Sequence, residues 1–189
     1  MLAGCASPPA APAETASQEV GTLCITFEFQ KQSGHASNQF AVWIEDANRN
    51  YVKTLYATKF TATGGYKNRP DSLSTWVSNS DLANMSDVDT ITGATPKSGK
   101  LAYTWDLTDQ KGNAVPDGPY RFVVEGALRW KNHVLYTGDI EIGGKPASAT
   151  ATAKYVYAAT ADQAALTAES PENAMIGAVK AEYLPPEQR

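Results

Sequence analysis

The chain has 189 residues and a net charge of −4, with 42% hydrophobic and 19% charged side chains. That length suits one domain with enough chain to bury a core. The acidic balance leaves no basic footprint for nucleic acid, and no apolar run approaches the length of a membrane span.

Leu2-Ala3-Gly4-Cys5 reads as the lipobox of a bacterial lipoprotein, in which the cysteine becomes the lipidated first residue and anchors the chain to the lipid bilayer. The charged and apolar parts of a signal peptide would lie before Leu2. A polar, Pro-rich stretch follows and cannot pack a core, so residues 1–20 are expected to be a lipobox remnant and a disordered tether. Residues 21–189 are expected to form a single domain. Lipidation of Cys5 leaves Cys24 as a buried free thiol inside an alternating apolar run; a Cys5–Cys24 disulfide is the weaker alternative. His35 and His133 share no metal spacing with cysteines or carboxylates, so no structural metal is expected.

From Leu23 the period is two. Leu23, Ile25, Phe27 and Phe29 alternate with mostly polar residues, the pattern of a half-buried strand. Gln39 to Asp46 is a second strand, with Phe40, Val42 and Ile44 on one face. Ala47-Asn48-Arg49-Asn50 is a turn, and Tyr51 to Tyr56 returns as the third strand of a hairpin. The rhythm then breaks. Residues 57–100 form a long insertion with loop signals at Gly64-Gly65-Tyr66 and Arg69-Pro70. Asp71 is the expected cap of a short helix carrying Leu73, Trp76 and Val77 on one face.

Near the end of the insertion stands Asp89-Thr90-Ile91-Thr92-Gly93-Ala94-Thr95. At average residue usage this Asp-x-Ile-Thr-Gly-Ala-Thr pattern arises by chance in about one chain in ten thousand of this size, so it is read as a signal. It resembles the acceptor motif of bacterial proteins that carry FMN on a threonine through a phosphodiester bond. The resemblance implies that Thr95 takes the flavin, delivered by a separate flavin transferase. Gly93 and Ala94 let the backbone approach another protein closely, Pro96 favours an extended Thr95, Thr92 shapes the motif, and Asp89 orients the loop or contacts the transferase. Pro96 stands where the familiar flavin-carrying subunits usually have an apolar residue.

Leu101 to Leu107, Tyr120 to Gly126 and Val134 to Ile142 are further strands. Between the first two, Trp105-Asp106-Leu107-Thr108-Asp109 leads through Gly112 and Val115-Pro116 to Gly118-Pro119-Tyr120. This resembles a corner signature of immunoglobulin-like domains in envelope proteins. Gly112 and Gly118 are expected at positive φ, with Trp105 and Tyr120 packed together. The part from 146 to 189 is rich in Ala and Thr. Strands are expected at Lys154–Tyr157 and within Met175–Leu184, with a short helix or loop at Gln163–Ser170. Burial of Ile176, Val179 and Tyr183 requires the last strand to join the sheet. The fold class is therefore all-β: an immunoglobulin-like antiparallel sandwich with the insertion and at most one or two short helices.

Taken together, the Asp89–Thr95 motif, Trp105-Asp106-Leu107-Thr108-Asp109 and Gly118-Pro119-Tyr120 resemble a periplasmic family, domain of unknown function twenty-two seventy-one, often found beside flavin transferases and membrane redox proteins. The resemblance covers roughly residues 22–145. It implies an envelope lipoprotein that acts as an electron-transfer module with covalent FMN on Thr95, exchanging electrons with a membrane redox protein. The alternative is a cofactor-free immunoglobulin-like binding or structural lipoprotein. An independent enzyme is not indicated, because no Ser-His-Asp pattern stands out. Trp76, in the insertion, is a candidate to stack on the flavin, with Tyr66, Lys67 and Arg69 as further ring or phosphate contacts. Trp43 and Trp105 are assigned to the core.

Overall fold

The computed structural model describes residues 21–33, 38–86, 88–129, 132–156 and 174–186. Cys5, the tether, His35 and the Gln163–Ser170 segment lie outside them. The described chain forms two sheets. The four-stranded sheet has the order β5-β1-β10-β8, from Gly99–Trp105, Thr22–Phe29, Lys180–Leu184 and Ala147–Thr150. The six-stranded sheet has the order β4-β3-β2-β6-β7-β9, from Thr92–Gly93, Tyr51–Thr58, Gln39–Asp46, Gly118–Arg129, Asn132–Ile142 and Thr152–Val156. All ladders are antiparallel except the two-residue pairing of β4 with β3, which runs parallel.

The period-two pattern builds the inner core. Leu23, Ile25, Phe27 and Phe29 of β1 face Phe40, Val42 and Ile44 of β2, Phe122 and Val124 of β6 and Val134 of β7 across the sandwich. The last strand joins as its apolar residues require: Val179 is fully buried, Ile176 bridges Phe29, and β10 lies between β1 and β8. The chain changes sheets at both edges. Ala151 alone joins β8 to β9, its N–H donating to Val179 O at 2.9 Å. At the opposite edge, residues 94–98 join β4 to β5.

The corner after β5 is built as its turn residues demand. Leu107, Gly112 and Gly118 all have positive φ, at 57°, 82° and 142°. Asp109 Oδ1 accepts from the N–H groups of Lys111 and Asn113 at 2.9 and 2.8 Å. The Trp105 indole donates to Thr108 O and meets the Tyr120 ring edge-on at 5.0 Å.

The insertion is a third layer. A π-turn at Thr61–Gly65 leads into α1 (Tyr66–Asn68), α2 (Ser74–Asn79), a 3-10 turn (Leu82–Asn84) and α3 (Val88–Ile91). Ala62, Leu73, Trp76, Leu82 and Ile91 pack on Ala41, Trp43, Val123 and Ala127, the opposite face of the six-stranded sheet. β2 is consequently buried along both faces rather than one. Asp71 does not cap α2. Leu73 precedes the helix at a left-handed φ of 54°, and no cap side chain comes from the helix itself. Glu125 of β6 supplies the cap: its carboxylate accepts from Thr75 N at 3.2 Å and Trp76 N at 2.8 Å. A six-residue helix cannot hold itself in water, so this cap and the apolar contact of Trp76 define it. Cys24 is a free thiol, but it is half-buried on the outer face of β1 because it is out of phase with the inward residues.

Candidate functional site

The Asp89–Thr95 segment follows from two anchors. Ile91, at the end of α3, is buried in the outer core and pins the segment to the six-stranded sheet. Thr92 and Gly93 then pair with Ala57 and Thr58 as the edge strand β4. A two-residue strand is weakly held by its ladder alone, and Tyr56 of β3 adds the second anchor. Its hydroxyl donates to Ala94 O at 2.8 Å. A Cβ on Gly93 would fall 2.7 Å from Tyr56 Cε2, so a larger residue there would displace the ring from the chain. Tyr56 in turn stacks on Phe40 at 5.2 Å and packs at a tilt on Tyr103 at 4.9 Å. Burial raises the pKa of both phenols, and Tyr103 is raised further by its neighbour Tyr56, so both stay protonated and Tyr56 remains a donor.

Beyond the anchors the chain turns outward. Asp89 and Ala94 are exposed, and Thr95 and Pro96 are half-buried. Ser98 Oγ accepts from Lys31 N at 2.9 Å just before β5 begins. Asp89, Thr92, Gly93, Ala94 and Thr95 thus form one short surface segment crossing from the six-stranded to the four-stranded sheet. On its α3 side a cleft of about 510 Å³ opens between the sheet edges, lined by Lys53, Leu55, Thr90, Ile91, Thr104 and Lys111. Lys53 is already engaged there with Asp106 at 2.9 Å. Burial opposes ionisation of Asp106, but the Lys53 and Thr108 contacts outweigh it and hold the carboxyl below its ordinary range.

Trp76, Lys67 and Arg69 are engaged with other partners. Trp76 is fully buried in the outer core with Ile91, its backbone N–H bound to Glu125 and its indole N–H donating to Thr54 Oγ1 at 2.9 Å. The ring offers no free face. Lys67 Nζ lies 5.9 Å from the Tyr66 ring, and the Arg69 guanidinium 5.3 Å from the Phe60 ring, each against an aromatic neighbour of the insertion.

The outer core also holds buried polar groups. Glu125 is fully buried, and burial pushes its carboxyl up to about 7 although Trp76 and Thr75 donate to it. His133 Nε2 lies 3.8 Å from Glu125 Oε1. Burial holds His133 below its ordinary range, more than offsetting the pull of Asp71, so the contact is between a carboxyl and a neutral ring near pH 7. Glu45 accepts from the Trp43 indole at 2.9 Å and from Asn79 Nδ2 at 3.0 Å, tying the far end of α2 to β2. Parity does carry the signal. Val123 and Val124 are consecutive and both apolar, so both faces of β6 are covered, and Glu125 shares the face of Val123. Tyr56 carried no comparable mark.

Among the described residues no helix is long and apolar enough to cross a membrane. No three His, Cys, Asp or Glu side chains among them gather as a metal site. No curated protein and no solved structure matches the chain. A family model does match, over residues 22–158, from the first strand through the acceptor-like segment to just beyond β9: the chain belongs to the family described as Predicted periplasmic protein (DUF2271).

Proposed function

We propose that the protein is a cell-envelope redox carrier holding FMN covalently on Thr95. The observation that supports this most is where the Asp-x-Ile-Thr-Gly-Ala-Thr motif falls: on a surface crossover at a sheet edge, anchored on one side by Ile91 and ending in a partly exposed threonine. The residues fit a covalently attached group. Thr95 is half-buried beside the exposed Ala94, and it belongs to neither hydrophobic core.

In the attachment step Thr95 Oγ1 gives up its proton to a base of the flavin transferase. The oxygen bonds to the phosphorus that carries the riboflavin part of FAD, the bond from that phosphorus to the bridging oxygen breaks, and AMP departs. A divalent metal ion of the transferase stabilises the leaving phosphate. Once bound, FMN supplies one- and two-electron chemistry; the chain holds it at the surface, where a membrane redox protein can reach it. A covalent tether keeps the flavin at high effective concentration without an enclosing pocket. The lipobox at Cys5 fits the same setting by confining the carrier to the bilayer surface. Asp89, exposed in the first turn of α3, is free of the core and is the contact offered to the transferase.

Co-expression in the envelope with a flavin transferase tests the reading. The protein should gain the mass of one FMN, fluoresce on a denaturing gel and lose both in Thr95→Ala. Thr92→Ala should keep part of the label, and Asp89→Ala should slow its appearance. With the upstream signal sequence present, Cys5→Ser should move the protein from the membrane to the soluble fraction. A wild type left unmodified beside a labelled control substrate would favour the immunoglobulin-like, cofactor-free binding module instead.

A further inference from the structure

We propose that Tyr56 is the positioning residue of the acceptor: it fixes the backbone before Thr95 so that the hydroxyl is presented ready-shaped to the transferase. This rests on Thr95 being the flavin acceptor. The Tyr56 hydroxyl binds the carbonyl of Ala94, the residue immediately before the acceptor, at 2.8 Å. Its ring occupies the space beside Gly93, where a Cβ would lie 2.7 Å from Cε2 and 3.0 Å from the hydroxyl oxygen. The glycine of the motif therefore serves this contact within the protein.

The contact is held from below. Tyr56 stacks on Phe40, which is fully buried, and packs at a tilt on Tyr103, which stacks on Phe27 at 5.9 Å. An aromatic column thus runs from the inner core to the backbone of the acceptor segment. Without it, residues 94–98 would keep the Lys31 N–H to Ser98 Oγ bond, which lies three residues beyond the acceptor.

Positioning has a kinetic signature. An enzyme that accepts one conformation of the segment sees its apparent affinity fall by the fraction of molecules in that conformation. Loss of the hydrogen bond should therefore raise KM for the protein substrate and leave kcat unchanged, because Thr95 Oγ1 is still the nucleophile.

The experiment uses purified protein, a flavin transferase, FAD and Mg²⁺, with labelling followed by intact mass and in-gel fluorescence. Tyr56→Phe keeps the ring and removes the donor; its KM should rise about two- to tenfold. Tyr136→Phe is the control. It also loses a tyrosine-to-carbonyl bond, to Ile176 O, but on the far side of the core. It should lower the melting temperature and leave KM alone. In the unmodified protein, amide hydrogen exchange across 94–98 should quicken in Tyr56→Phe and stay unchanged in Tyr136→Phe. Wild-type KM in Tyr56→Phe, unchanged exchange, or an equal KM rise in Tyr136→Phe each overturns the positioning role while leaving Thr95 as acceptor. A wild type refused by an active transferase overturns the acceptor reading itself, and this proposal with it.

Discussion

The two faces of the six-stranded sheet bury similar strands under different chemistry. The inner face meets the four-stranded sheet through aromatic and aliphatic side chains such as Phe40, Val42, Phe122 and Val124. The outer face carries a short-helix layer whose apolar contacts are interleaved with Glu45, Thr54, Glu125 and His133. The difference follows from what lies on top. Strands bring their own ladders, so the inner core needs only complementary shape. Helices of six residues or fewer expose unpaired backbone donors and need partners from the sheet. Among the described residues the inner face therefore buries no charged side chain, its polar atoms being tyrosine hydroxyls such as that of Tyr136, whereas the outer face buries Glu45, Glu125 and His133.

The largest effect should come from breaking the inner face. The Phe122 ring is fully buried and packs over Gly138 of β7, where a Cβ would collide with its Cζ. Phe122→Ala should cost about 3–5 kcal/mol in denaturant unfolding and lower protection of both sheets together. A loss confined to β6 and β7 would show that the inner core is not one cooperative unit.

Glu125→Ala attacks the outer face. It strips the partner from Thr75 N and Trp76 N and should cost about 2–3 kcal/mol. The signature is local: hydrogen exchange should rise across Ser74–Asn79 while the inner core keeps its protection. Uniform loss across both layers would erase the distinction drawn between the faces.

The pH dependence sharpens it. The Glu125 pKa is raised from 4.5 to about 7 in the fold, so the folded state holds this proton more tightly. Its contribution to stability is fully present below pH 4.5 and is lost as pH rises through 7. His133 opposes it. Its pKa is lowered in the fold, so its contribution is present above 6.5 and is lost as pH falls. Glu125→Gln should remove the first trend and leave the second, so that stability measured from pH 4.5 to 7 turns upward relative to wild type. Parallel curves would mean that Glu125 does not titrate in this window.

Trp76→Phe keeps most of the apolar contact and removes the donor to Thr54 Oγ1; about 1 kcal/mol is expected, read from the denaturant midpoint. Thr95→Ala belongs to neither face and should change stability by less than about 0.5 kcal/mol. A larger loss would mean that the crossover supports the sandwich.

The strands of the sandwich were legible because their side chains alternate, and the corner at Trp105–Tyr120 because its Gly, Asp and Pro residues each answer to a turn. The insertion was legible as an interruption but not as a layer. Its helices take their order from Glu125 and Glu45, which lie far from them in sequence. That is also why Asp71, adjacent to the helix and chemically suitable, looked like the cap. The burial of Trp76 was not legible for the same reason: an aromatic in an unpatterned stretch gives no sign of which sheet face receives it. The acceptor segment stood out by pattern, whereas Tyr56 did not, because its role lies in what Gly93 and Ala94 require of a neighbouring strand.

The place of β10 has a consequence in time. Thr22 pairs with Leu184, and β8 joins the four-stranded sheet through β10. A chain synthesised from its N-terminus therefore cannot close this sheet until Lys180–Leu184 has emerged, and its ladder joins partners from opposite ends of the described sequence, the slowest kind to form. Until then β1 has an open edge and half a core to cover. The four-stranded sheet, and with it the cover of the inner core, is therefore completed only by the last strand to be made.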